Sequence, residues 1–419
     1  MFHNKIYLFT IVMILYILAF IIMCIMCFFA YIKIKHRFWA MQPVFHFYDL
    51  YYWFFNVGII RHDLPKKNRY TNFKNVSFGK MSNLLDKTNK QMKQFIFLIQ
   101  QHYLKNKDNR FHPEWINIVP YFVGHKHPCF VSFYYEPKWI EDVTNKTIIE
   151  DKRMIGAMTS RPLQVSFYNK NKPGCNTLDV YYVDYLCVDK NYRNKNVAPQ
   201  LIQTHEYHQS HTNTDICVSL FKREGEMTGI IPLCFYKTYC FNMRKWTTPL
   251  GLPVTTSLLD TDSQNVFYAW KFIKETIDQT KHSIYITILP EPSNLIELIK
   301  TKNLFLKMVM NDKEVQAIYF FRKVCTSVSE GKEVLSCFAS VKSKHITNEL
   351  FIHAFKVSVS SIVKKYKFSY LTVENISNND ILIQNLSSKS IPEIVSPTAY
   401  FLYNFAYQTI PSNKILIIN

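Results

Sequence analysis

The chain has 419 residues, long enough for a large core and two domain-sized halves. Aromatic residues at 16% and charged residues at 19% argue against a disordered chain, and ten cysteines without regular spacing read as reduced, packed thiols rather than a disulfide framework. A formal net charge of +19 favours an anionic partner (nucleic acid, an acidic membrane surface or a phosphorylated cofactor) without choosing among them.

The first element runs from Ile6 to Ile32 with no charged residue and almost no polar one. About 20 such residues cross a bilayer core, whereas a signal-peptide core takes roughly 7–15. Lys33, Lys35, His36 and Arg37 follow at once, against Lys5 in front. The positive-inside rule therefore places the C-terminal side in the cytosol, giving a single-pass membrane protein. The sole C-x-x-C outside longer spacings, Cys24 to Cys27, lies inside this apolar run, where neither redox nor zinc chemistry is expected.

Residues 33–84 read as irregular, aromatic-rich and punctuated by proline. Over Leu85–Leu104 the spacing predicts a helix, with Met92, Phe95, Ile96, Ile99 and Tyr103 on one face. Residues 153–170 alternate as a strand ending in a polar turn at 171–174. Leu178–Val188 is the next strand, Val197–His208 a helix and Ile216–Phe221 another strand, an order that fits a mixed sheet. A second half starts near Gln264. It reads as a helix at Val266–Ile277, strands at Val315–Arg322 and Glu333–Ser340, and a helix at Asn348–Tyr366. Strands at Tyr370–Glu374, Tyr400–Tyr407 and Lys414–Asn419 complete it.

One stretch carries chemistry. In "VDYLCVDKNYRNKNVAPQLIQ" (183–203) a short apolar strand enters a basic, amide-rich turn that opens a helix. A helix N-terminus presents unpaired N–H groups and the positive end of its dipole, so it binds phosphate. With Arg193 and Lys195 in the turn, residues 193–198 form a candidate pyrophosphate cradle. Nine glycines in the whole chain and none in this turn exclude a Walker or Rossmann loop. The bland alternative is a solvated basic turn.

"YLCVDKNYRNKNVAP" resembles the CoA-binding signature of eukaryotic N-myristoyltransferases, an F-L-C-V strand followed by R-S-K-R-V-A-P. "RFWAMQPV" (37–44) is similar to the family's Y-x-F-W-x-x-Q-P-V segment, and "AYFLYNFAYQTIPSNKILIIN" (399–419) to its closing strand. The resemblance implies a mixed α/β fold of two fused GNAT-like halves behind one transmembrane helix. The implied boundaries are an anchor at 1–36, an acyl-CoA-binding half at 37–255 and a peptide-side half at 256–419. It also implies transfer of a myristoyl or other long acyl group from acyl-CoA to the amine of an N-terminal glycine, by a monomer.

The site residues are implied in the same way. Backbone N–H groups of Tyr185 and Leu186 form the oxyanion hole, a device typically worth about 10²–10³ in rate per donor. His36, Arg37, Phe38, Trp39, Cys187, Val188, Arg193, Asn194, Lys195, Asn196, Val197, Ala198 and Pro199 hold the CoA. Tyr103, Phe111, Tyr403 and Asn404 line the acceptor side. The C-terminal carboxylate of Asn419 serves as base, assisted by the hydroxyl of Ser219. The alternative for the last strand is a terminus docked for stability.

Two departures fall on the acceptor side. The family's acidic stretch is answered by "QQHYLKNKDNRFHP" (100–113), with Lys105 and Lys107, which repels a basic peptide. The family's G-x-G-D-G turn is answered by Pro392–Ser396, without glycine or aspartate. Alternative readings are therefore an acyl-CoA-binding membrane scaffold and a GNAT-type acetyltransferase. "THEYHQSH" (204–211) misses the H-E-x-x-H zinc spacing, and its histidines are expected on the exposed side of the helix. "GHKHPC" (124–129) reads as a loop. No metal is expected, and no nucleic-acid recognition module is visible.

Overall fold

The computed structural model describes residues 2–104, 109–142, 147–168, 175–225, 229–279, 284–328 and 332–419. The turn expected at 171–174 and the lysines at 105 and 107 lie outside them. The chain divides into two compact units, Met1–Val44 and Phe45–Asn419.

The first unit is a helix, Phe2–Lys35, followed by a short 3-10 turn, Trp39–Met41. Its stretch Phe9–Lys35 is long and apolar enough to cross a membrane, and none of its most apolar window is buried. At 1.5 Å per residue those 27 residues span about 40 Å, more than the roughly 30 Å of bilayer hydrocarbon.

In the second unit, sixteen strands among the described residues form one mixed sheet. Chain order and spatial order differ. The long hairpin partners Thr147–Tyr168 and Cys175–Val188 lie side by side, and Ser219–Glu224 follows parallel to the latter. Ile394–Tyr403, from near the chain's end, then inserts between Ser219–Glu224 and Cys234–Asn242. Ile286–Leu289 and Ile415–Ile417 add to the free edge of Thr147–Tyr168. Strands of late sequence thus complete the early part of the sheet.

The expected helices are present at Lys90–His102, Val197–Thr212, Val266–Gln279 and Asn348–Tyr366. Asn89 caps the first, its side chain accepting from the N–H groups of Gln91 and Met92, while Met92, Phe95, Leu98 and Ile99 are buried. Asn348–Tyr366 covers one face of the later strands through Phe351, Phe355 and Val359. Val266–Gln279 and Pro292–Lys300 cover the opposite face through Phe272, Ile273 and Leu298.

Two expectations shift. The strand expected over Tyr400–Tyr407 ends at Tyr403, because Asn404 has φ +64° and turns the chain. Phe405–Ala406 then pairs with Gly58–Ile59 in a separate small sheet. The irregular stretch 33–84 also contains a strand, Val76–Lys80, paired with Phe130–Asp142.

One buried ion network ties the inserted strands together. Glu374 is 3% exposed and accepts from Lys222 Nζ at 3.2 Å, from Tyr236 Oη at 2.5 Å and from the Arg322 guanidinium. Arg322 also donates to the side-chain oxygen of Asn419, whose amide donates to Tyr400 Oη at 3.1 Å. Burial pushes the Glu374 carboxyl up, but Lys222 and Arg322 hold it down, at about 2. That stabilisation is fully present above the ordinary value of 4.5 and is lost as pH falls from there towards 2.

Replacing Glu374 with Gln takes the shared carboxylate from the half-buried Arg322 and Lys222, of which Lys222 keeps only Glu224 at 3.7 Å. It should cost about 3–5 kcal/mol in urea unfolding at pH 7, and the gap to the wild type should close as the medium is acidified. Equal midpoints at pH 7 would refute this role for the network.

Candidate active site

The site begins at an irregularity in the hairpin. Asp184 lies opposite Thr159 and Cys187 opposite Ala157, so Tyr185 and Leu186 together face only Met158. This is a β-bulge, which leaves the extra residue out of the ladder and re-aims its groups. Tyr185 reaches it with φ +49°, a left-handed conformation costly for a bulky residue. Its ring is held by Phe95, Tyr103 and Phe122, with centroids at 5.9, 5.7 and 6.4 Å. Its N–H donates to Asp184 Oδ1 at 2.8 Å. The donor therefore meets an anionic oxygen.

Beyond the bulge the strand enters the basic turn. Asp189 is 1% exposed and caps the 3-10 turn Lys190–Tyr192 by accepting from the N–H of Asn191. It also accepts from Arg153 Nη2 at 2.8 Å and lies 3.6 Å from His102 Nε2. Asn194 and Asn196 both take φ +61°, and the helix Val197–Thr212 starts at the next residue. Asparagine is among the few residues besides glycine that adopt this conformation readily, so the turn forms without glycine. Arg193 Nη2 donates to the carbonyl of His102 at 2.9 Å, and Lys195 Nζ lies 5.0 Å over the Tyr192 ring.

Bulge, turn and helix start share one pocket of about 660 Å³. Leu186, Cys187, Val188, Arg193, Asn194, Asn196, Val197, Ala198 and Pro199 line it, together with Tyr103. Lys195 is not among its lining residues. The helix can approach because Gly156 lies beneath it: a Cβ there would stand 2.8 Å from Leu201 Cδ1 and 3.3 Å from Val197 Cγ1.

On the other side of the bulge lies a deep polar face. Thr159 and Arg161 pair with Asp184 and Tyr182, so all four point to one side of the sheet. Arg161 is 1% exposed, its guanidinium between the rings of Tyr121 and Tyr182 at 5.3 and 5.1 Å. Its Nε and Nη1 are buried without a hydrogen-bond partner. Burial pushes the Asp184 carboxyl up, while Arg161, Arg322 and Lys222 pull it back in part.

The other expected site residues are distributed unevenly. Tyr103 and Phe111 meet each other at 5.5 Å, and Tyr103 also meets Tyr185. Asn419 is 2% exposed and tied to Arg322 and Tyr400, within the network that reaches the polar face. Ser219 pairs with Tyr181, one residue out of phase with Tyr182, and its hydroxyl accepts from Gln209 of the helix. It thus lies on the side of the sheet opposite Asp184. Asn404 is committed to backbone, accepting from Arg61 N and donating to the carbonyls of Arg61 and Cys217. Tyr403 is buried in the adjoining strand. His36, Arg37, Phe38 and Trp39 belong to the first unit, where the Phe38 and Trp39 rings meet edge-on at 5.1 Å.

One of the helix histidines corrects an expectation, while His211 is exposed as expected. His205 is 1% exposed, with hydrogen bonds to the hydroxyls of Ser132 and Ser160 at 2.9 Å each, and burial lowers its pKa to about 3. Glu206 is also buried and raised to about 7 by burial. This helix packs a polar face inward, each group with a partner, so hydropathy alone misplaces it. Among the described residues no cluster of three or more His, Cys, Asp or Glu is disposed to hold a metal ion.

Residues that sequence reasoning missed are Asp184, Asp189, Arg153, His102 and Gly156. Asp184 alone carried a visible signal, a carboxylate inside the apolar run 180–188.

One mixed sheet with a bulged strand, a glycine-free basic turn and a helix N-terminus around one pocket is a fold that the chain shares with tandem GNAT proteins. A solved structure of a tandem GNAT protein from the clavulanic acid biosynthesis pathway matches with a TM-score of 0.50 and 8% identity, over 80% of this chain and 100% of that one. Residues 66–234 match the family model described as Myristoyl-CoA:protein N-myristoyltransferase, N-terminal domain. Over those residues the chain resembles the N-terminal domain of the N-myristoyltransferase family. Two crystal structures of the Saccharomyces cerevisiae N-myristoyltransferase with bound myristoyl-CoA share the fold at 12% identity. One matches with a TM-score of 0.66 over 90% of this chain and 94% of that chain, the other with 0.67 over 91% of each. No curated protein sequence matches the chain.

Replacing Gly156 with Val should push the start of Val197–Thr212 off the strand. Overpacking of this kind costs about 1–3 kcal/mol in stability. Acyl-CoA affinity measured by calorimetry should fall at least tenfold, while the variant still unfolds cooperatively. Unchanged affinity would separate the helix start from the pocket.

Proposed function

We propose that the chain transfers a long-chain acyl group, myristoyl or similar, from acyl-CoA to the amine of an N-terminal glycine on a protein. The observation that carries this reading is the pocket that Leu186 of the bulge shares with Arg193, Asn194 and the helix start Asn196–Ala198, Tyr185 lying next to Leu186 in the strand. The turn and the helix N-terminus suit a pyrophosphate, because unpaired N–H groups and the dipole both favour negative charge there. The bulge suits the thioester, because its re-aimed N–H groups stabilise charge on the carbonyl oxygen as the amine attacks.

In the proposed arrangement residues 37–255 hold the CoA and residues 256–419 close the acceptor side. Tyr103 and Phe111 border the acceptor. Lys195 contributes charge to the turn. The carboxylate of Asn419 accepts a proton from the acceptor nitrogen, as the family resemblance implies. Ser219 has no part in this scheme, because its hydroxyl faces the helix. The helix Phe2–Lys35 anchors the enzyme in a membrane with its second unit in the cytosol, and the acylated product is released beside the bilayer.

The test is the full chain in detergent with myristoyl-CoA and glycine-initiated peptides, following release of CoA thiol. Release should exceed the peptide-free rate, and adding residues after Asn419 should reduce it at least a hundredfold while acyl-CoA still binds. Acyl-CoA binding without peptide-dependent release would sink the transferase reading.

A further inference from the structure

The deep face beside the bulge holds a carboxylate that the scheme above leaves unused. Asp184 directly precedes the bulge, and its Oδ1 is the acceptor, at 2.8 Å, of the Tyr185 N–H. It sits deep in the fold yet is only half-buried, unlike Arg161 behind it. The contrast shows that Asp184 is less tightly enclosed than Arg161, although its carboxyl is still desolvated. No cation lies within ion-pair distance of it among the described residues, whereas Glu374, on the same inner face, is fully engaged by Lys222, Arg322 and Tyr236.

We propose that Asp184 is the residue that binds the acceptor's ammonium group and removes its first proton. This inference rests on the transferase reading and adds a catalytic residue to it. The geometry supplies the argument. A thioester oxygen taking the Tyr185 N–H must displace Asp184 Oδ1 from that donor. The displaced carboxylate stays within one side-chain rotation of the carbonyl carbon, where the acceptor nitrogen must arrive. An ammonium is the natural partner for a carboxylate that has lost its donor.

The balance is complete. The ammonium gives one proton to the Asp184 carboxylate, and the free amine forms the C–N bond, leaving a negative charge on oxygen at the bulge. Collapse breaks the C–S bond, and CoA leaves as thiolate. The nitrogen loses its second proton at this stage to the carboxylate of Asn419, and Asp184 returns its proton to solvent. No oxidant, metal or further reactant is needed.

The surroundings tune this base. The charged groups facing it are Arg161 from the neighbouring strand, Arg322 from Glu314–Val328 and Lys222 from Ser219–Glu224. Tyr103, Tyr121, Tyr182 and Tyr185 also feel its charge, each held neutral by burial. Burial outweighs the three cations, so the carboxyl titrates above its ordinary range, closer to working pH than a surface aspartate. Activity that needs the ionised form is absent below that value and rises with pH through it.

Asp184→Asn and Asp184→Ala, each in the full chain, test this with myristoyl-CoA and a glycine-initiated peptide. Asparagine keeps an oxygen for the Tyr185 N–H, so the bulge persists. The expected result for Asp184→Asn is a kcat lowered about a hundredfold or more, unchanged acyl-CoA affinity by calorimetry, and loss of the acid limb of kcat/KM. Added formate should restore part of the activity of Asp184→Ala, which a structural role would not allow. Wild-type turnover with an unaltered rate and pH profile in Asp184→Asn overturns this inference and leaves the transferase reading standing. A wild-type chain that binds acyl-CoA and never releases thiol overturns both.

Discussion

Everything chemical in this fold depends on one residue's backbone. Tyr185 stands at φ +49° in the middle of a strand, a conformation that a bulky side chain does not adopt unless its surroundings impose it. The imposing group is aromatic: Phe95 from the helix, Tyr103 from its C-terminal cap and Phe122 from a 3-10 turn enclose the ring. The bulge turns an amide away from the neighbouring strand, and the strand then continues into the turn that starts the helix. The bulge amides and the basic turn are thus set at a fixed separation of a few residues on one strand.

A second constraint joins the two halves. The sheet is completed by late strands that insert among early ones, so the inner face is built from parts distant in sequence. Glu374, Lys222, Arg322 and Asn419 meet there, from four different elements. Such a network leaves its cations costly if any member is lost, and it holds Asn419 against the sheet. Asp184, on the same face and outside the network, is the carboxylate with freedom to act.

The legible parts of the sequence were those with local causes. Asn348–Tyr366 and Tyr370–Glu374 appear at the expected boundaries, because apolar periodicity and length decide them. The strand–turn–helix at 183–203 was legible for the same reason. The insertion of Ile394–Tyr403 between two earlier strands was not, since pairing across the chain leaves no local mark. The inward polar face of Val197–Thr212 was also hidden: His205 and Gln209 are buried with hydrogen-bond partners from a strand that periodicity does not see, and Glu206 is buried with Ser210 one turn on. Ser219 shows the limit of reading a role from position, for a one-residue phase in the strand puts its hydroxyl on the far side of the sheet.

The most direct measurement is a structure of the full chain with a non-transferable thioether analogue of myristoyl-CoA. The account predicts pyrophosphate on the turn Arg193–Ala198, the analogue's carbonyl-position oxygen or its equivalent at hydrogen-bond distance from the amides of Tyr185 and Leu186, and the Asp184 side chain turned off the Tyr185 N–H. An analogue bound elsewhere, with the Asp184 carboxylate still on that amide, would contradict it.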